Sequence, residues 1–134
     1  MKLKKKQEVH LLFLIECNNY MKKLDFNIPI YYAKVTLIIT DDYKEIERLY
    51  DVKVGDRPYE GFSFDVEGED EYVIVISNIN WSIISHEVVH VVNMIFSQCH
   101  IELDLKNDEP QAYLTGYIIK QIEGFLKENN NNGN

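Results

Sequence analysis

Apolar and polar positions follow two different rhythms along this chain, and the places where the rhythm changes divide it into elements. Across residues 61–66, Phe62, Phe64 and Val66 alternate with Ser63 and Asp65. That is the two-residue period of a half-buried strand, with the apolar set turned inward and Ser63 and Asp65 outward. Residues 71–77 repeat the period with Val73 and Val75 on one side and Tyr72, Ile74 and Ile76 on the other. The acidic, Gly68-containing stretch between them is short enough to join two antiparallel strands, so the pair reads as a hairpin. Upstream, residues 30–40 are β-branched and aromatic and predict another strand. The rhythm then lengthens. Tyr43, Ile46, Leu49 and Tyr50 recur at helical spacing behind Asp41 and Asp42, which predicts a short amphipathic helix ending near Asp51.

Residues 81–98 pose a conflict between propensity and pattern. Val88-Val89 and Val91-Val92 suit a buried strand, but Ile84, Val88, Val91, Val92 and Ile95 form a wide helical stripe, and the span is long for a strand. Asn80 supplies an N-cap, and the expectation is a helix over 81–98. A final helix is expected from Asp108, with Pro110 in its first turn and Leu114, Tyr117, Ile118, Ile122, Phe125 and Leu126 buried. The connection 100–107 holds at most one short extended piece. Residues 7–24 are ambiguous: 11–15 alone could be a strand, but length and the Lys22-Lys23 ending favour a helix, and 25–29 read as a connection because Pro29 biases Ile28 away from helix. Residues 128–134 are a low-complexity, Asn-rich tail expected to be disordered.

At 134 residues the chain is a single domain, 1–134. A formal charge of −8 argues against a general nucleic-acid binder, which relies on clustered Lys and Arg. Lys2, Lys4, Lys5 and Lys6 form a basic head, but the apolar run after it is short and interrupted by Glu16, so it is not read as a signal sequence. No stretch reaches the eighteen or so apolar residues of a membrane span. Cys17 and Cys99 lack C-x-x-C spacing and are expected to be buried small hydrophobes in a reducing compartment. A cytoplasmic protein, without nucleic-acid or membrane partners, is the expectation; the sequence sets no oligomeric state.

The chemistry concentrates in Ser85-His86-Glu87-Val88-Val89-His90, an H-E-x-x-H pattern inside the apolar helix. Residues four apart project from one helical face, so His86 and His90 can reach one metal ion while Glu87 handles a proton beside it. On a strand the two would stand roughly 13 Å apart, too far for one ion. A chance occurrence in a chain of this composition is on the order of one in a hundred. The plain alternative is a core helix with two satisfied histidines. A catalytic zinc site takes three protein ligands and an open position for water. His100, Asp104, Asp108 and Glu109 follow the motif, and Glu109 is preferred because it opens the next helix and can be held against the first. For His100, the extended three-histidine pattern fails at Asn93 and Phe96.

His86-Glu87-x-x-His90 followed by Glu109-x-x-Ala112-Tyr113 resembles the gluzincin arrangement, shared by the minigluzincins and by repressor-cleaving zinc peptidases of mobile elements. The run 108–114 with Gly116 and Tyr117 also resembles short HExxH proteins encoded by phages. The resemblance covers roughly residues 70–126 and implies Zn²⁺ held by His86, His90 and Glu109, with Glu87 as general base. It implies an α+β, zincin-like domain: a three- to four-stranded sheet packed on an active-site helix and a following third-ligand helix. Residues 72–77 would then pair with an extended peptide. Tyr113 and Tyr117, four and eight residues past Glu109, are candidate catalytic hydroxyls, with core packing as the alternative. Asn93 and Ser97 are candidate supports for the ligands. The implied function is a zinc metallopeptidase acting on a protein or peptide substrate. The alternative is a non-catalytic zinc-binding regulatory or protein-interaction domain that keeps the same fold.

Overall fold

The computed structural model describes residues 21–56 and 60–131. Seven elements follow in order: β1 (Lys22–Ile28), β2 (Ala33–Ile39), α1 (Tyr43–Tyr50), β3 (Gly61–Asp65), β4 (Glu71–Ile76), α2 (Trp81–Gln98) and α3 (Glu109–Asn131). The strands form one sheet in the order β1-β2-β4-β3. The β1/β2 and β3/β4 pairs are antiparallel, while β2/β4 is parallel, so the sheet is mixed and the class is α+β.

Both faces of the sheet are covered. On one, Leu24, Phe26 and Ile28 of β1, Val35 and Leu37 of β2, and Tyr72, Ile74 and Ile76 of β4 pack against α2 and α3. The helices contribute Ile84, Val88, Val91, Val92 and Ile95 from α2 and Leu114, Ile118 and Ile122 from α3. On the other face, Ile38, Val73, Val75, Phe62 and Phe64 meet α1 through Ile46, Tyr43 and Tyr50. Burial on two sides is why β2 and β4 are nearly continuous apolar runs. Full burial of Ile46 is worth about 1.5–3 kcal/mol to the docking of α1.

The hairpin, α1 and α2 stand where the periodicities place them. Asp42 accepts the Glu45 backbone N–H at 3.2 Å and starts α1, and Asp51 ends it in the left-handed region. Asn80 Oδ1 accepts the Ser82 N–H at 3.0 Å and starts α2. At the far end, the Ile101 N–H donates to the Phe96 carbonyl at 2.8 Å and the His100 N–H to the Ser97 carbonyl at 3.1 Å, with His100 at φ 56°. This is a Schellman ending with histidine where glycine is usual.

Three expectations change. The part of the expected first helix that falls within the described residues is strand: Lys22 and Lys23 open β1 instead of closing a helix, and 25–28 continue it. The period-two set Leu24, Phe26, Ile28 faces the core, and pairing with β2, from Lys22↔Ile39 to Ile28↔Ala33, satisfies the backbone. Positions 7–20 of that expected helix, with Cys17, lie outside the described residues. Second, α3 runs through Asn131, so residues 128–131 of the expected tail are helical. Third, Cys99 is exposed, not buried, because it caps the solvent end of α2. Among the described residues no helix is long and apolar enough to cross a membrane.

Candidate active site on the second helix

Helix α2 presents one face to the sheet and a second to a cleft. His86 and His90 lie on the cleft side, exposed and one turn apart, with their Nε2 atoms 3.1 Å from each other and the rings edge-on. Between two neutral imidazoles that contact is a hydrogen bond from one Nε2–H to the other nitrogen. The same separation suits one ion: two nitrogens bound at 2.0–2.1 Å and 3.1 Å apart subtend about 100° at the metal, near a tetrahedral angle. The spacing of the two nitrogens is thus compatible with one tetrahedral ion, which would replace the hydrogen bond between them.

Glu87 is the one charged side chain among the described residues that is buried, at 6% exposure. A buried carboxylate needs partners. Ser63 Oγ on β3 donates to Glu87 Oε2 at 2.8 Å, while Oε1 lies 4.0 Å from His86 Nε2. The cleft, about 600 Å³, is lined by Gly61, Phe62 and Ser63 on one wall and by His86, Glu87, His90, Asn93, Met94 and Ser97 on the other. Gly61 sets its width. A Cβ there would stand 2.6 Å from Ile83 Cγ2 and 3.3 Å from the Val75 carbonyl, so only glycine lets β3 come this near to α2.

Ser63 was not legible as a site residue, because alternation marks it as solvent-facing. That inference assumes a sheet covered on one side only. Here the face opposite Phe62 and Phe64 meets α2, and the polar residue of the alternation lands on the carboxylate. The available signal is that Gly61 and Ser63 are small residues at i and i+2, which leave room on one face of the strand. The expectation for residues 72–77 is likewise overturned. β4 lies between β2 and β3 with both edges hydrogen-bonded, so it cannot receive a peptide strand. Among the described residues β1 and β3 are the two edge strands, and β3 borders the cleft.

The other expected residues divide. Asn93 and Ser97 line the cleft, and Asn93 Oδ1 accepts from Gln111 Nε2 at 3.3 Å. Glu109 is exposed at the first residue of α3. It lies about 180° around the helix from Ile118, which is fully buried, so the stripe that docks α3 turns Glu109 away from the packed side. Tyr113 is 75% exposed, and neither tyrosine lines the cleft; the Tyr117 hydroxyl donates to the Asn27 carbonyl at 3.3 Å. Asp104 closes a turn by accepting the Lys106 N–H at 2.9 Å, and the Asp108 carbonyl accepts the Ala112 N–H at 2.9 Å at the start of α3. His100 ends α2. Among the described residues, no three or more His, Cys, Asp or Glu side chains are grouped so as to hold one ion. The site thus offers two nitrogen donors and an adjacent carboxylate, and the third donor is not assembled with them.

Comparison with protein-family models, with curated proteins and with solved structures gives no match to this chain.

Proposed function

We propose that this chain is a small, zincin-like zinc metallopeptidase of the gluzincin type, acting on a protein or peptide. The observation that carries the reading is the pair of Nε2 atoms 3.1 Å apart beside a nearly buried glutamate, on a cleft bordered by an edge strand. His86 and His90 are the proposed metal ligands. Glu109 is the proposed third ligand on the gluzincin resemblance, and because it stands on the exposed side of α3, joining them requires the first turn of that helix to shift as well as the side chain. When bound, zinc lowers the pKa of its water to about 7 and polarises the scissile carbonyl. Glu87 takes the proton of the attacking water on Oε1, the oxygen that Ser63 leaves free, and returns it to the leaving nitrogen. The edge of β3 offers backbone groups to an extended substrate.

Elemental mass spectrometry of the purified protein tests the reading. The expected result is about one zinc per chain after zinc is supplied. His86→Ala should reduce it to background, and Glu87→Gln should keep the metal while abolishing hydrolysis. No metal in the unmodified protein would leave two histidines on a core helix and refute the reading. Replacing Glu109 should weaken zinc binding by about tenfold or more, against little change for Asp108→Asn; the reverse ranking moves the third ligand.

The second reading is a zinc-binding regulatory or protein-interaction domain without catalysis. It keeps His86 and His90 as the zinc-binding pair and makes Glu87, hydrogen-bonded to Ser63 across the β3–α2 contact, a structural carboxylate. Zinc uptake with no cleavage of peptide libraries above background, by the parent and by Glu87→Gln alike, would select it.

A further inference from the structure

We infer that Ser63 is the positioning residue for Glu87, an assignment that rests on the metallopeptidase reading because that reading makes Glu87 the base. The two oxygens of the Glu87 carboxylate have different surroundings. Oε2 accepts the Ser63 hydroxyl at 2.8 Å, and Oε1 faces the imidazole pair, 4.0 Å from His86 Nε2. A glutamate side chain has three rotatable bonds, and a general base must be held within hydrogen-bond reach of the proton it abstracts. Pinning one oxygen fixes the direction in which the other points. Burial strengthens the restraint, since little water competes for the carboxylate at 6% exposure.

The backbone is built to make this contact. Gly61 touches α2 at Ile83, and Ser63 touches it at Glu87. Two residues along a strand advance roughly 6.6 Å and four along a helix roughly 6 Å, so the steps of β3 and α2 keep pace. Gly61 brings the strand in, and Ser63 on the same face then meets the carboxylate one helical turn further on. A larger residue at 61 would move the hydroxyl out of reach. The Ser63 hydroxyl is hydrogen-bonded to the Glu87 carboxylate and not to either imidazole, so its proposed effect passes through Glu87.

The test uses the full chain with Ser63→Ala and Ser63→Thr, the second of which keeps the hydroxyl. In the metal-free protein, NMR three-bond couplings along the Glu87 side chain report its rotamers. One rotamer is expected in the parent, averaged couplings in Ser63→Ala, and recovery of the single rotamer in Ser63→Thr. A single unchanged rotamer in Ser63→Ala would overturn the inference. This readout needs neither zinc nor substrate, so it stands apart from the metallopeptidase reading, which fails separately if no zinc is taken up. In the zinc-loaded protein, Ser63→Ala should lower kcat about 10–100-fold on a peptide substrate while KM stays within about threefold, with equal zinc content. Ser63→Thr should recover most of the loss. A fall confined to KM, or no recovery with threonine, would also overturn it.

Discussion

Phe62 and Phe64 leave β3 toward α1, whereas Gly61 and Ser63 leave it toward α2, and the two faces of this one strand do different work. On the α1 side the phenylalanines stack with centroids 6.1 Å apart and meet Tyr43 and Tyr50 edge-on at 5.1 and 5.4 Å. Such pairs add to the area they bury. On the α2 side there is a hydrogen atom at 61, which lets Ile83 of α2 come close, and a hydroxyl at 63, which meets Glu87 beside the cleft. The lesson is that a strand between two layers can serve stability with its odd or even positions and chemistry with the other set. Substitutions on the two faces should therefore separate folding from function.

The largest stability effect is expected on the aromatic face. Phe64→Ala should cost about 2–4 kcal/mol in denaturant unfolding while leaving zinc uptake per folded chain unchanged. A loss of zinc uptake at full folding would break the separation. Next comes Gly61→Ala, which forces Ile83 and β3 apart and should cost about 1–3 kcal/mol. Its control is Gly116→Ala on α3, where an added Cβ meets nothing within 4 Å and about 0.5–1 kcal/mol should be gained. The same sign at both positions would mean that β3 is not closely packed on α2.

A pH effect should distinguish the faces more gently. Burial, and then the charges of Glu71 and Asp25, push the Tyr50 hydroxyl well above the usual tyrosine range. Its folded pKa is raised, so the unfolded chain loses this proton first. The associated stability is fully present below about pH 10 and is lost as pH rises toward the folded value. Thermal melts near pH 11 should show Tyr50→Phe losing about 3 °C less than the parent, relative to pH 8. An identical alkaline loss would place the sensitive group elsewhere. The smallest effect is at the end of α2. His100→Gly should raise stability by about 0.5–1 kcal/mol, because φ 56° costs histidine and suits glycine. Destabilisation there would mean that the His100 side chain has a contact of its own.

Where one periodicity dominated, the sequence was readable. Asn80 and the stripe from Ile84 to Ile95 define α2, and the alternation around Gly68 defines the hairpin. β1 was hidden because Lys22-Lys23 imitates a helix ending, while Leu24, Phe26 and Ile28 are too few to outvote the helical matches before them. The histidine pair followed from helical spacing alone, but its neighbours did not. Ser63 depends on which layer covers each face of the sheet, a fact of topology that alternation does not encode. Glu109 depends on how α3 is rotated, and the stripe Leu114, Ile118, Ile122 already held that information: it buries the side away from Glu109. A motif's spacing indicates which helix follows; the apolar stripe decides which way that helix faces.

All nine residues that line the cleft fall within one unbroken stretch, from Gly61 to Ser97. The cleft is therefore made by neighbours in sequence, a hairpin followed at once by a helix. The parallel pairing of β2 with β4 must instead bring Lys34 to Glu71 across α1 and all of β3. Closing the longer loop costs more entropy and is the slower event. In time as well as in space, then, the cleft should come early. Pulse-labelled amide exchange during refolding is expected to protect β3, β4 and α2 before β1 and β2, and protection of β1 and β2 first would reverse that order.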